Sequence, residues 1–180
     1  MTQPPLQGDH VRLRLLAEED LPRLLEILLQ PGVAEWWPGY EMARLRADTF
    51  GSPDTTSLAI ELDGRIVGLV IYAEETDPYY KSAGIDITLD NEHLGQGLGS
   101  DTLRTLARHL FEERGHHRLT IGPALATERA IGGVQEGGFQ AGRDHAPVRD
   151  GRRRHLSRQP AHGHARWRTC ARIEVANSRR

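Results

Sequence analysis

Leu94-Gly95-Gln96-Gly97-Leu98-Gly99 decides the fold, because this glycine-rich turn lies between a predicted strand and a predicted helix. Three glycines at alternate positions let the backbone turn tightly and direct successive N–H groups outward. The N-terminus of the following helix adds a partial positive charge. The pattern indicates a cradle for an anion, and a purely structural turn is the alternative. It is neither a dinucleotide fingerprint nor a phosphate loop closed by Lys-Ser/Thr.

Strands and helices are predicted on both sides of this glycine loop (residues 94–99). Two apolar, β-branched runs flank Asp63-Gly64, which predicts a tight antiparallel hairpin. In chain order, the predicted elements are strand 11–15, helix 18–30, a loop or short helix at 33–37, helix 41–50, strands 57–62, 65–72 and 83–89, helix 100–114, strand 118–121 and a helix from 127, with a polar loop at 74–82. This order predicts an α/β fold with a mixed central sheet flanked by helices.

Composition limits the kind of protein. A chain of 180 residues with 38% hydrophobic content can build one domain with a real core. No run approaches the ~20 apolar residues that span a bilayer, and residues 1–10 do not resemble a signal peptide, so we expect a cytoplasmic protein without membrane contact. The single cysteine, Cys170, excludes a disulfide framework. His116-His117 and the later histidines lack a ligand pattern, so we expect no metal site.

Charge is divided unevenly along the chain. Residues 142–180 carry 11 arginines and 3 acids, about +8, whereas residues 1–141 carry 12 basic and 22 acidic side chains, about −10. An acidic body attracts a cationic substrate. The basic tail shows no periodicity and is predicted to be disordered. A nucleic-acid-binding arm is the weaker alternative, because Trp167 is its only aromatic residue. We therefore divide the chain into a domain at 1–141 and a tail at 142–180.

Several segments together resemble the GNAT family of N-acetyltransferases over about residues 11–131. Gly97 and Gly99 match the glycines of the family motif, whereas Leu94 stands where the family usually has Gln or Arg. The Leu-Gly-x-Gly-Leu-Gly form is similar to the branch of aminoglycoside 6'-N-acetyltransferases. Further similar segments are Glu35-Trp36-Trp37, Glu74-Glu75-Thr76-Asp77-Pro78 and Gly84-Ile85-Asp86. The resemblance implies transfer of an acetyl group from acetyl-coenzyme A to a primary amine, such as the 6'-amine of an aminoglycoside.

The resemblance also implies roles for individual residues. Asp86 would hold the substrate ammonium and accept its proton, although a strand aspartate that merely faces solvent is the alternative. The residues expected to bind acetyl-coenzyme A are Ile87, Thr88, Leu89, Leu94, Gly95, Gln96, Gly97, Leu98, Gly99 and Ser100.

The expected acceptor is a small polycationic amine. The residues expected to contact it are Trp36, Trp37, Glu75, Asp77 and Asp86, with Glu74 and the following Tyr79 and Tyr80 nearby. Core packing of one tryptophan and simple solvation of the acidic loop are the alternatives. Whether the protein is a monomer or a homodimer is left open by the sequence.

The sequence departs from the family after Ile131. The family has a helix with a tyrosine, then Gly-Phe and two closing strands, but residues 132–139 lack the tyrosine. We therefore expect the C-terminal strands to be lost or scrambled. Shifting the back-translated frame by one nucleotide can turn 143–148 into Gly-Ile-Met-Arg-Arg-Tyr and 160–165 into Leu-Leu-Met-Asp-Met-Leu, which resemble those strands. A frameshift is the resulting hypothesis, and an inactive acyl-coenzyme A-binding remnant is the alternative function.

Overall fold

A computed structural model describes residues 4–75, 77, 81–121, 139–141 and 173–177. The helices are α1 Leu21–Leu28, α2 Met42–Phe50 and α3 Leu98–Arg108, with 3₁₀ turns at Glu18–Asp20 and Asn91–His93 and a π-helical turn at His109–Glu113. The strands are β1 Leu6–Gln7, β2 Arg12–Leu15, β3 Thr55–Leu62, β4 Arg65–Glu75, β5 Ser82–Leu89, β6 Arg118–Ile121, β7 Phe139–Ala141 and β8 Ile173–Asn177. No helix in these ranges is long and apolar enough to cross a membrane.

The described strands form one mixed sheet in the order β1-β2-β3-β4-β5-β6-β8-β7. All neighbouring strands are antiparallel except β5 and β6, which are parallel and are connected through α3. The hairpin predicted at Asp63-Gly64 is confirmed: both residues have positive φ, at 49° and 76°, as a two-residue turn between twisted strands requires. The predicted fold class, a mixed sheet flanked by helices, is also confirmed.

The sheet is covered by helices on both faces. On one face, α3 buries Leu103 and Leu106 in a cluster with Ile85 and Ile87 of β5. On the other face, α1, α2 and the residues between them form a second cluster around Leu69 of β4. Successive side chains of a strand point to opposite faces. Asp86 therefore points away from α3, toward the face that α1 and α2 cover.

Some predicted boundaries were wrong. The first helix ends at Leu28 rather than at 30, and the predicted helix at 100–114 starts at Leu98 and becomes π-helical at His109. The polar loop predicted at 74–82 is shorter, because β4 continues through Glu75 and β5 begins at Ser82. The extension of β4 is stabilised by ion pairs of Glu74, which a sequence pattern does not reveal.

The described residues beyond β6 form two short strands. Phe139–Ala141 pairs with Ile173–Asn177, which in turn pairs antiparallel with β6. The prediction of a disordered tail is therefore wrong for Ile173–Asn177, where two β-branched residues alternate with Glu174 and Ala176 in the two-residue period of a strand. The helix expected from 127, the segment at 132–138 and the two segments behind the frameshift hypothesis lie outside the described residues.

Candidate active site

The glycine loop connects β5 to the start of α3. Gly95 and Gly97 have φ values of 75° and 81°, a region that L side chains rarely adopt. A Cβ added at either position would meet no atom within 4 Å, so both glycines border open space. The first helical hydrogen bond runs from Asp101 N to Gly97 O at 3.0 Å. The N–H groups of Leu98 and Gly99 precede it and have no acceptor inside the helix, which leaves donors for an anion.

Asp101 anchors the first turn of α3 to the other end of the chain. Its carboxylate is 1% exposed and accepts backbone N–H groups from Asp9, His10 and Val11 at 3.0, 2.7 and 3.0 Å. Burial alone would raise the pKa of Asp101, but these hydrogen bonds outweigh it and lower the pKa below its usual value. The start of α3 is thereby tied to the β1–β2 turn, a contact that the sequence analysis missed.

The part of β5 next to the glycine loop has one edge with no neighbouring strand among the described residues. The last pair between β5 and β6 is Ile85 with Ile121, so residues 86–89 are paired only with β4 in the described part of the chain. The residues predicted to bind the coenzyme on this strand, Ile87, Thr88 and Leu89, all lie along that edge. An extended ligand that carries amide groups can add to an open strand edge through backbone hydrogen bonds.

Asp86 is the first residue of β5 beyond its last described pair with β6. It is partly buried and pairs across the sheet with Ile71, which packs against the cluster that contains Trp37. The structure therefore places Asp86 on the same face of the sheet as the tryptophan segment (residues 33–37).

The two adjacent tryptophans have different environments. Trp37 is 8% exposed and packs edge-on against Tyr40, with ring centroids 5.4 Å apart and an interplanar angle of 74°. Trp36 is 53% exposed. Trp37 is therefore a core residue of the cluster under α1 and α2, whereas Trp36 offers its ring to the surface.

The acidic residues at the end of β4 are also divided. Glu74 accepts hydrogen bonds from Arg114 at 3.0 and 2.9 Å and from His116 at 2.8 Å. Burial would raise the pKa of Glu74, but the bonds from Arg114 and His116 lower it overall. Glu75 and Asp77 are exposed, and the Asp77 N–H donates to Glu75 Oε1 at 3.1 Å. The hydrogen bonds from Arg114 and His116 thus occupy the Glu74 carboxylate, whereas the carboxylates of Glu75 and Asp77 remain at the surface.

The described residues contain no group of three or more His, Cys, Asp or Glu side chains arranged to hold a metal ion. Strand β5 joins three features of the candidate site. The cradle at 94–99 can bind an anion, the edge at 86–89 can hold amides, and Asp86 can hold a cation and take a proton.

Comparison with known proteins identifies the family of the chain. Residues 21–139 match the profile of the acetyltransferase (GNAT) family. The chain is 31% identical over 153 residues to an aminoglycoside N(6')-acetyltransferase type 1 of Klebsiella pneumoniae, covering 74% of this chain and 75% of that protein. It is similar to two solved structures of AAC(6')-Ib, one with paromomycin and acetyl-coenzyme A (29% identity, TM-score 0.61) and one with coenzyme A and kanamycin (28%, 0.61). The matches cover 74% and 73% of this chain and 85% of each of those chains.

Proposed function

The chain belongs to the GNAT family of acetyltransferases and is an acetyl-coenzyme A-dependent N-acetyltransferase, and from this premise we propose that its acceptor is the 6'-amine of an aminoglycoside. The observation that carries the proposal is the position of Asp86. This carboxylate lies on β5 directly after the last described pair with β6, and it faces the side of the sheet where the tryptophan segment packs. A cation-binding group thus lies on the strand that leads into the anion cradle.

The donor site fits acetyl-coenzyme A, which supplies the activated acetyl group when it is bound. Gly95 and Gly97 leave open space above the backbone, and the first N–H groups of α3 suit a pyrophosphate. The pantetheine arm of the coenzyme contains amides, which suit the edge of residues 87–89, where no described strand lies next to β5. We assign coenzyme binding to Ile87, Thr88, Leu89 and the loop from Leu94 to Ser100.

Asp86 is the proposed catalytic residue. An amine attacks a thioester only after it loses its proton, and a positioned carboxylate can hold the ammonium form and then accept that proton. The partial burial of Asp86 limits competition from water for this contact. Positioning of the two substrates supplies the remainder of the rate enhancement.

The acceptor site is assigned to side chains that the fold leaves at the surface. Trp36 offers an exposed ring that can stack on an aminosugar, while Glu75 and Asp77 can pair with its other ammonium groups. Trp37 supports this site from the core. The net charge of about −10 over residues 1–141 favours the approach of a polycation.

Neomycin and paromomycin provide a matched test, because they differ at one position, a 6'-amine against a 6'-hydroxyl. We expect thiol release from acetyl-coenzyme A with neomycin, no release above background with paromomycin, and binding of both compounds. Equal turnover of the two compounds would overturn the assignment to the 6'-amine. Coenzyme binding without turnover of any amine would instead identify an inactive remnant.

A further inference from the structure

Gln30 lies at the junction between α1 and the tryptophan segment. Its backbone carbonyl accepts the N–H groups of Val33 at 3.1 Å and Ala34 at 3.0 Å, and the Val33 carbonyl then accepts those of Trp36 and Trp37. These consecutive turns define the path of the chain from α1 to the two tryptophans. The backbone carbonyl of Gln30 therefore holds the start of the segment that carries Trp36.

The side chain of Gln30 reaches the start of the coenzyme loop. Its Oε1 accepts the Asn91 N–H at 2.9 Å, and its Nε2 donates to Asp90 Oδ1 at 3.2 Å. Asn91 closes a second link, because its Nδ2 donates to the Pro31 carbonyl at 2.8 Å. Both ends of the Gln30 amide are thus used, and one residue supports two loops that are about 60 positions apart in sequence.

Asp90 anchors the coenzyme side of this junction through hydrogen bonds. It is 1% exposed and also accepts hydrogen bonds from the Arg23 guanidinium and, at 3.0 Å, from the Glu92 N–H. Burial would raise the pKa of Asp90, but the bonds from Glu92, Gln30 and Arg23 lower it overall. A charged, fully hydrogen-bonded carboxylate therefore connects the end of β5 to α1 immediately before the glycine loop.

We propose that Gln30 is a positioning residue that couples the two substrate sites, so that occupation of the coenzyme loop orders the tryptophan segment. The assignment of that segment to the acceptor rests on the proposed function, whereas the coupling itself rests on the contacts of Gln30. The path is short: glycine loop, Asn91 and Asp90, Gln30, and the turn at Val33.

Amide hydrogen exchange with coenzyme A as the only ligand tests the coupling, because no acceptor is needed. In the unmodified protein, we expect coenzyme A to slow exchange in residues 95–99 and also in the tryptophan segment by about fivefold or more, the usual lower size of coupling between sites. In Gln30→Met, which keeps the side-chain length but neither hydrogen bond, protection should remain at 95–99 and disappear at 33–37. Gln7→Met is the matched control, since Gln7 lies in β1 and donates only to Gly8 O among its described contacts.

Asn91→Ala removes the hydrogen bond from the Asn91 side chain to the Pro31 carbonyl but leaves both bonds of the Gln30 amide. In this variant, coenzyme A should still slow exchange at residues 33–37, but by less than in the unmodified protein. The proposal would be overturned if coenzyme A did not slow amide exchange at residues 33–37 in the unmodified protein. It would also be overturned if a folded Gln30→Met kept the full slowing of exchange at 33–37. Failure of neomycin to react leaves this measurement unaffected, so the coupling and the proposed acceptor can fail separately.

Discussion

Glu74 and Arg114 form a bidentate ion pair, with the guanidinium Nε and Nη2 at 3.0 and 2.9 Å from the two carboxylate oxygens. His116 donates to the same carboxylate at 2.8 Å. The pair joins the end of β4 to the residues between the π-helical turn and β6. Glu74 therefore stabilises the fold, whereas Glu75 and Asp77 of the same acidic segment are exposed at the surface.

The lowered pKa of Glu74 predicts acid sensitivity. A carboxyl group with a lowered folded-state pKa stabilises the protein above its unfolded value of about 4.3, and this contribution is lost as the pH falls through the lower folded value. Glu74→Gln should reduce the free energy of unfolding by about 1–3 kcal/mol at neutral pH, toward the lower end because Arg114 is half exposed. Denaturant titrations at neutral and acidic pH should show the difference from the unmodified protein shrinking on acidification. Glu75→Gln, at an exposed neighbour, should change little; a difference for Glu74→Gln that grows on acidification would contradict the interpretation.

The open conformation of the glycine loop predicts a specific defect in Gly97→Ala. A left-handed backbone costs a non-glycine residue about 1–2 kcal/mol, and Gly64 has the same kind of φ, 76°, with the same open surroundings. Gly64→Ala is therefore a matched control. Both substitutions should lower stability to a similar extent, but only Gly97→Ala should raise the KM for acetyl-coenzyme A, by about tenfold, the equivalent of roughly 1.4 kcal/mol of lost binding. Equal KM values in steady-state thiol-release assays would remove the loop from the coenzyme site.

The separation of Trp36 from Trp37 predicts opposite effects of two neighbouring truncations. Trp37→Ala removes a buried ring and should reduce the free energy of unfolding by about 3–5 kcal/mol. Trp36→Ala removes a half-exposed ring, so the free energy of unfolding should change by less than about 0.5 kcal/mol. The KM for the aminoglycoside should rise. Thermal unfolding and steady-state kinetics measure the two effects. An unchanged acceptor KM in Trp36→Ala would exclude this ring from the acceptor site.

The proposed role of Asp86 predicts a defect in turnover rather than in coenzyme binding. Asp86→Asn should lower kcat on the order of 10²- to 10⁴-fold with little change in the KM for acetyl-coenzyme A, because the amide cannot accept the proton. Part of the activity should return as the pH rises, since the free acceptor then carries less of that proton. Asp63→Asn in the β3–β4 turn is the control, because its left-handed φ of 49° suits asparagine as well. Near-normal turnover of Asp86→Asn would end this assignment.

The order of strands and helices from β2 to β6 follows from the sequence alone. The hairpin at Asp63-Gly64 and the turn at Gly95 and Gly97 depend on residues that adopt positive φ, which are visible in the amino-acid sequence. Likewise, the apolar stripe of α3 depends on spacing within one helix. Such features are local, because the residues that form them are close neighbours along the chain. The family resemblance could be found for the same reason, since its motifs are short contiguous segments.

Only the tertiary structure decided how the site is assembled. The anchor from Asp101 to the N–H groups of residues 9–11 joins positions 90 to 92 apart, and the contacts of Gln30 with Asp90 and Asn91 join positions 60 and 61 apart. A sequence pattern cannot show which polar group meets which other polar group across such distances. Glu74 and Glu75 are equivalent as sequence, yet one is paired with Arg114 and the other faces solvent. Packing of the sheet against its helices made that distinction, because a buried carboxylate must be hydrogen-bonded whereas an exposed one can bind a ligand.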